Sequence, residues 1–250
     1  MNCRRAILLI FSALALTFFL MGCGDSTATS TAKQVSASRT GSLNLSEIPK
    51  DLQEQYERCP ELEDFVANYA TEHTKHHNTD VSNDYTPGEI PLFLQWDTRW
   101  GYEQYGDNMM ALTGCGPTCL SMVTVGLTGN TDWNPLAVAS FADENSYYCN
   151  GSGSYWTLIS QGSYALGISA TELPLDEFTI RQQLEQGNPI ICAMGPGDFT
   201  TQGHFLVLVG ENDDGTIKLH DPNSRKNSER SWALAQLMTQ MQNLWAMSDL

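Results

Sequence analysis

The chain has 250 residues, with 29 acidic and 13 basic side chains, and its formal net charge is −16. A body this acidic repels the phosphate backbone of nucleic acids, so the charge argues against a nucleic-acid partner. The length suits a short N-terminal targeting segment followed by one domain with a sizeable core.

The first 22 residues have the pattern of an export signal. Arg4 and Arg5 precede an apolar run over residues 6–20, and the run ends in Leu-Met-Gly-Cys. This ending resembles the bacterial lipobox, in which the cysteine is lipidated. We therefore expect acyl chains on Cys23 to hold the protein on the outer face of a bacterial membrane. A simple anchor helix is the alternative.

Composition divides the remaining chain into three segments. Residues 23–45 are rich in Ser, Thr and Ala and are expected to be a flexible tether. Residues 46–88 are expected to form a helical N-terminal extension, and residues 89–250 one domain. Within the extension, four apolar side chains follow helical spacing: Leu62, Phe65, Val66 and Tyr69.

The stretch "LTGCGPTCLSMV", residues 112–123, predicts a helix that begins near Gly116. Proline suits the first turn of a helix because its missing N–H would have no partner there. Two glycines, Gly126 and Gly129, are expected to end this helix. The predicted helix therefore covers about residues 116–125.

Two cysteines occupy this stretch one turn apart, and we expect different roles for them. Cys115 lies at the predicted helix N-terminus, where unpaired N–H groups and the helix dipole stabilise a thiolate. Cys119 lies among apolar residues and is expected to be core. Their spacing is too wide for an unstrained disulfide. Cysteine pairing otherwise stays open among four residues: Cys59, Cys119, Cys149 and Cys192.

A nucleophilic cysteine needs a base, and the chain contains five histidines. Three of them fall in the polar stretch "EHTKHH", residues 72–77. Their spacing would suit a metal ion on one helix face, but no cluster of carboxylates or cysteines completes such a site. His204 begins the apolar run "HFLVLVG", which a turn connects to a second predicted strand, "IKLHDPN". A hairpin centred on residues 212–213 makes His204 and Asp221 near-opposite neighbours within side-chain reach, while His220 points to the other face.

An oxyanion donor completes the predicted chemistry. The backbone N–H of Cys115 is one candidate, and the side-chain amide of Gln95, in "IPLFLQWDTRWG", is the second. The sequence thus offers a complete set of catalytic groups. The nucleophile is Cys115, the base is His204, the carboxylate that orients the base is Asp221, and the side-chain donor to the oxyanion is Gln95.

Four stretches in this order, "PLFLQWDTRWG", "TGCGPTCLSMV", "GHFLVLVG" and "IKLHDPN", resemble the papain-like cysteine peptidases of the bacteriocin-processing, double-glycine-leader type. The resemblance implies an α+β fold in which a helix carrying the Cys packs on an antiparallel sheet carrying the His and Asp. It also implies the roles just given for the four site residues. Leader-cleaving members are fused to transporter segments, and no second apolar span occurs here, so we do not expect bacteriocin export.

The predicted function is that of an exported, membrane-tethered cysteine peptidase that hydrolyses peptide or isopeptide bonds. Its expected partners are a peptide or protein substrate and the lipid anchor, and no cofactor or metal is expected. A lipoprotein that binds peptides or cell-wall fragments with an inactive peptidase fold is the alternative. Acyl transfer to an amine instead of water would use the same residues and also stays open.

Overall fold

The computed structural model describes residues 45–250, which belong to one compact unit. The expected signal segment, the lipid site at Cys23 and all but the last residue of the tether lie outside the described residues. Within residues 45–250, no helix combines the length and the apolar character that crossing a bilayer requires.

The described residues contain the strands β1 Gln104–Tyr105, β2 Asn108–Met109, β3 Tyr148–Cys149, β4 Gly153–Ser154, β5 Ile168–Glu172, β6 Ile190–Met194, β7 His204–Glu211, β8 Ile217–His220 and β9 Met241–Asp249. Five of them form an antiparallel sheet at the centre, with the order β5-β9-β6-β7-β8. Successive apolar side chains of the inner strands point to opposite faces, so both faces of this sheet are apolar. Two short hairpins, β1-β2 and β3-β4, lie outside this sheet.

Within residues 45–250, ten α-helical segments pack around the sheet, and several are a single turn long. Short 3-10 turns also occur at Leu45–Glu47, Pro60–Leu62 and Gly162–Leu166. The helices are α1 Lys50–Arg58, α2 Glu63–Ala67, α3 Tyr69–Glu72, α4 Met110–Thr113, α5 Cys115–Thr128, α6 Pro135–Glu144, α7 Thr157–Ser160, α8 Glu177–Glu185, α9 Arg225–Glu229 and α10 Leu234–Met238.

Helix α5 is the central helix and is buried over most of its length. It continues through Gly126, so the predicted end at that residue is wrong. A Cβ at Gly126 would lie only 2.9 Å from the Cα of Ile90, so this glycine permits close packing inside the helix. The helix ends at Gly129, which has a φ of 68° and donates its N–H to the carbonyl of Val125.

The sheet separates two hydrophobic cores. Phe205 and Val207 of β7 face a core shared with α5, while Leu206 and Leu208 face a core shared with α8 and α10. The protein is therefore a mixed α/β structure built on an antiparallel sheet, consistent with the predicted α+β class.

The N-terminal extension packs on the rest of the unit through a third cluster. Leu62, Phe65 and Val66 are buried there, as their helical spacing predicts, although the helix is interrupted at Asn68 between α2 and α3. Tyr102 stacks on Phe65 with ring centroids 3.9 Å apart. The extension therefore shares a core with residues that follow it in the chain.

Candidate active site

Cys115 is the first residue of α5 and is partly exposed. Its backbone N–H makes no backbone hydrogen bond within the described part of the chain, as is usual in the first turn of a helix. Gly116 follows it, and a Cβ there would collide with the hydroxyl of Ser154. The start of α5 thus fixes the Cys115 side chain at the edge of a cleft.

His204 begins β7 and lies beside Cys115 at the end of the sheet. Its Nε2 lies 2.7 Å from Oδ1 of Asp221, and the Cys115 side chain lies close enough to the ring to raise its pKa. Because Nε2 faces Asp221, Nδ1 is the nitrogen available to Cys115. The structure therefore brings together three of the four residues expected at the site.

The predicted register between β7 and β8 is wrong. Val207 pairs with His220, and the pairing shifts again between Leu208 and Gly210, where β7 has an irregularity. Asp221 therefore lies two residues away from the predicted position opposite His204. A shift of two residues keeps a side chain on the same sheet face, so the contact with His204 forms diagonally.

Asp221 is buried, with 1% of its surface exposed, and donors satisfy both of its carboxylate oxygens. Besides His204, Oδ1 accepts the backbone N–H of Asn223 at 2.8 Å. Oδ2 accepts Nδ2 of Asn227 at 2.8 Å. These bonds hold the carboxylate beside the imidazole ring.

The electrostatics of the site favour the protonated form of His204. Burial acts to lower the pKa of His204, but the Asp221 carboxylate and the Cys115 side chain together raise it to about 10. Near neutral pH the ring is therefore an imidazolium that faces a sulfur on one side and a carboxylate on the other.

The other histidines have different surroundings. Burial lowers the pKa of His220 to about 4, and its ring contacts the backbone of Pro91. His73, His76 and His77 lie at the end of α3 and just beyond it. Residues 45–250 contain no group of three or more His, Cys, Asp or Glu side chains placed to hold a metal ion.

The remaining cysteines of residues 45–250 are also free thiols. Cys119 is fully buried, and burial raises its pKa well above the usual value, so it stays neutral as a core residue. Burial likewise raises the pKa of Cys192, and raises that of Cys59 to about 11. Cys149 is partly exposed in β3. Of the free thiols in residues 45–250, Cys115 is the one whose side chain acts on the pKa of His204.

Gln95 is buried beside the start of α5. Its Nε2 donates to the carbonyl of Ala111 at 2.8 Å, and its backbone N–H donates to the carbonyl of Pro222 at 2.7 Å. Turning the amide over would set Oε1 against the Ala111 oxygen, so the observed orientation is the chemically reasonable one. The second hydrogen on Nε2 has no other partner among the described residues, and Gln95 lines the same cleft as Cys115.

The cleft has a volume of about 420 Å³ and contains Cys115, His204 and Gln95 in its lining. Gly151 and Ser152, which lie between β3 and β4, also line it. Segment 197–203, which joins β6 to β7, supplies another part of the lining. The end of α1 supplies a further part through Gln55, Arg58 and Cys59.

Sequence reasoning missed Asn227 and the residues of α1. Asn227 lies six residues after Asp221, in a short helix that Ser224 caps, and its side chain alone gives no signal of a role at the site. Gln55 contacts Asn223, 168 positions away in the chain, and Arg58 lines the cleft beside Gln55. No local pattern in the sequence marks such contacts.

A family model described as "Peptidase_C39 like family" matches residues 87–249, which is well over half of the chain. The matched region includes all four expected site residues and begins after α1, α2 and α3. Among curated proteins, none matches the chain.

Proposed function

The chain belongs to the Peptidase_C39-like family, and we propose that it is a cysteine peptidase that hydrolyses peptide or isopeptide bonds through Cys115. One observation carries the proposal: Cys115 and His204 line the same cleft, and Nε2 of His204 lies 2.7 Å from the buried carboxylate of Asp221. A thiol, an imidazole and a carboxylate in this order are the requirements of nucleophilic catalysis.

In the first step, Cys115 attacks the carbonyl carbon of the substrate as a thiolate while His204 holds the proton. The oxyanion that forms accepts hydrogen bonds from the Cys115 backbone N–H and from Nε2 of Gln95. His204 then donates its proton to the leaving amine, the C–N bond breaks, and an acyl thioester on Cys115 remains. Asp221 holds the ring through Nε2, which directs Nδ1 towards the sulfur.

In the second step, His204 acts as the base. It takes a proton from water, the resulting hydroxide attacks the thioester, and the oxyanion forms again at the same donors. The C–S bond then breaks, and the sulfur leaves as a thiolate beside the protonated His204. The product is a carboxylic acid, and the site regains its starting protonation state.

We further propose that the enzyme works outside the cytoplasm, tethered to a bacterial membrane through acyl chains on Cys23. The support is the lipobox-like ending of the apolar N-terminal run, followed by a Ser/Thr/Ala-rich stretch. Growth with a radiolabelled fatty acid tests this. The wild type should incorporate label and Cys23→Ser should not, while equal labelling of both would contradict the anchor.

The direct test of the activity uses a peptide library and peptidoglycan fragments, with products read by mass spectrometry. We expect wild-type protein to release new carboxyl termini. Cys115→Ala should reduce kcat by about 10⁶-fold, as in other catalytic units of this type. Cys149→Ser, which removes another partly exposed thiol, is the matched control and should keep full activity.

Two other outcomes separate the alternatives. A peptide- or cell-wall-binding protein with an inactive cleft would retain ligands without forming products, and Cys115→Ala would not change the retention. An acyl transferase would form amide products when an amine such as glycinamide is added. Cleavage by Cys115→Ala at the wild-type rate would contradict the proposed mechanism.

A further inference from the structure

One wall of the cleft comes from a part of the chain that precedes the family match. Helix α1 ends at Arg58. Two of its residues, Gln55 and Arg58, line the cleft that contains Cys115 and His204, and so does Cys59, which follows the helix. The family match begins only at residue 87. This wall is therefore a feature of the chain that the family assignment does not describe.

Hydrogen bonds fix this wall to the loop that follows Asp221. Nε2 of Gln55 donates to Oδ1 of Asn223 at 2.9 Å, and the backbone N–H of Asn223 donates to Asp221. Glu61, just beyond α1, accepts the hydroxyl of Ser224 at 2.5 Å. The end of α1 therefore has a defined position relative to the imidazole and its carboxylate.

Arg58 is the cation that this wall presents. Its NH2 group donates to Oε1 of Gln55 at 3.1 Å, which is a neutral acceptor. Among the described residues it makes no ion pair, whereas Arg99 and Arg181 each pair with two carboxylates. In a chain with 29 acidic residues, a guanidinium in the cleft without a carboxylate is available to a ligand.

No other residue of the cleft lining neutralises the charge of Arg58. Two other residues of the lining carry charge: His204, which is paired with Asp221, and Asp198, whose Oδ2 already accepts amide hydrogens from Gln236 and Gln240. The remaining lining residues are neutral. Arg58 is therefore the strongest site in the cleft for an anionic group.

We propose that Arg58 forms a subsite that binds a carboxylate of the substrate close to the bond that is cleaved. A guanidinium recognises a carboxylate through two parallel hydrogen bonds, which gives direction as well as attraction. The net negative charge of the protein does not prevent this, because at physiological ionic strength charges are screened over about 8 Å. This inference rests on the proposed peptidase function and adds a substrate preference to it.

The test uses a peptide sequence that the wild-type protein cleaves, with Glu or Gln in turn at each position beside the cleaved bond. A second pair carries a free or an amidated C-terminus, which distinguishes a side-chain carboxylate from a terminal one. We expect the wild type to prefer the carboxylate at one position. The preference is measured as kcat/KM for the peptide with the carboxylate divided by kcat/KM for its neutral counterpart. Arg58→Gln should reduce this ratio by about twofold to fivefold, as for an exposed ion pair. Arg58→Glu should reverse the preference.

Lys50→Gln is the matched control, since it removes the same charge from the same helix. Lys50 pairs with Glu54 at 3.4 Å and does not line the cleft, so its loss should leave the ratio unchanged. Equal cleavage of all peptide pairs by the wild type would overturn the subsite. An equal fall in this ratio for Arg58→Gln and Lys50→Gln would also overturn the subsite. Failure of the wild type to cleave any peptide would instead overturn the proposed function, and the subsite with it.

Discussion

The charge of His204 depends on two opposing influences. Its burial favours the neutral ring, while Asp221 and Cys115 favour the imidazolium and prevail, so that its pKa is about 10. Because this pKa exceeds the usual 6.5, protonated His204 stabilises the folded state. That stabilisation is complete below pH 6.5 and is lost as the pH rises towards 10.

Asp221→Asn tests this balance at the residue scale. Without the carboxylate, burial should dominate, so the pKa of His204 should fall from about 10 towards neutrality or below. We expect the basic limb of the kcat/KM profile against pH to move down by several pH units. Profiles of the wild type and the variant, measured on one peptide, provide the comparison. A basic limb that stays in place would mean that Asp221 does not control His204.

At the scale of elements, the sequence predicted the contacts of the site better than the boundaries of its elements. His204 and Asp221 could be paired from the hairpin pattern because the error of two residues preserves the sheet face. The end of α5 could not be predicted, since Gly126 fits inside the helix only because Ile90 lies against it. Asn227 was missed because its role depends on a cap and a tertiary contact.

Gly116→Ala tests whether close packing fixes the start of α5. The new Cβ would collide with the hydroxyl of Ser154, which cannot turn aside without losing its 2.6 Å hydrogen bond to the Tyr105 hydroxyl. We expect a loss of about 1–3 kcal/mol in the free energy of unfolding, typical of overpacking, measured with urea. Gly210→Ala is the control, because nothing lies within 4 Å of a Cβ there. Similar values for both variants would contradict the packing argument.

At the scale of the whole molecule, the N-terminal extension and the segment that matches the family are packed together. The extension buries Leu52 and Leu62 in a cluster that also contains Ala111, just before α5. It also contacts the loop after Asp221 through Gln55 and Glu61. The spacing of apolar residues predicted the helical character of the extension, but its contacts with the site come from tertiary packing that no local pattern records.

Leu62→Ala tests this integration. Leu62 is fully buried, so we expect a loss of about 2–5 kcal/mol in the free energy of unfolding. Tryptophan fluorescence and far-UV circular dichroism should give the same shifted midpoint, since the described residues form one compact unit. Leu175→Ala, at a position that is 49% exposed, should have little effect. A separate early transition of the extension would contradict the single unit.

The central claim is that Cys115 reacts as a nucleophile because His204 lies beside it. The most direct measurement is the rate at which iodoacetamide modifies each cysteine at pH 6, with the adducts mapped by mass spectrometry in the wild type and in His204→Ala. We expect Cys115 to be modified far faster than Cys149 in the wild type, and this advantage to disappear in the variant. Equal rates for the two cysteines in the wild type, or a Cys115 rate unaffected by loss of the imidazole, would contradict the account.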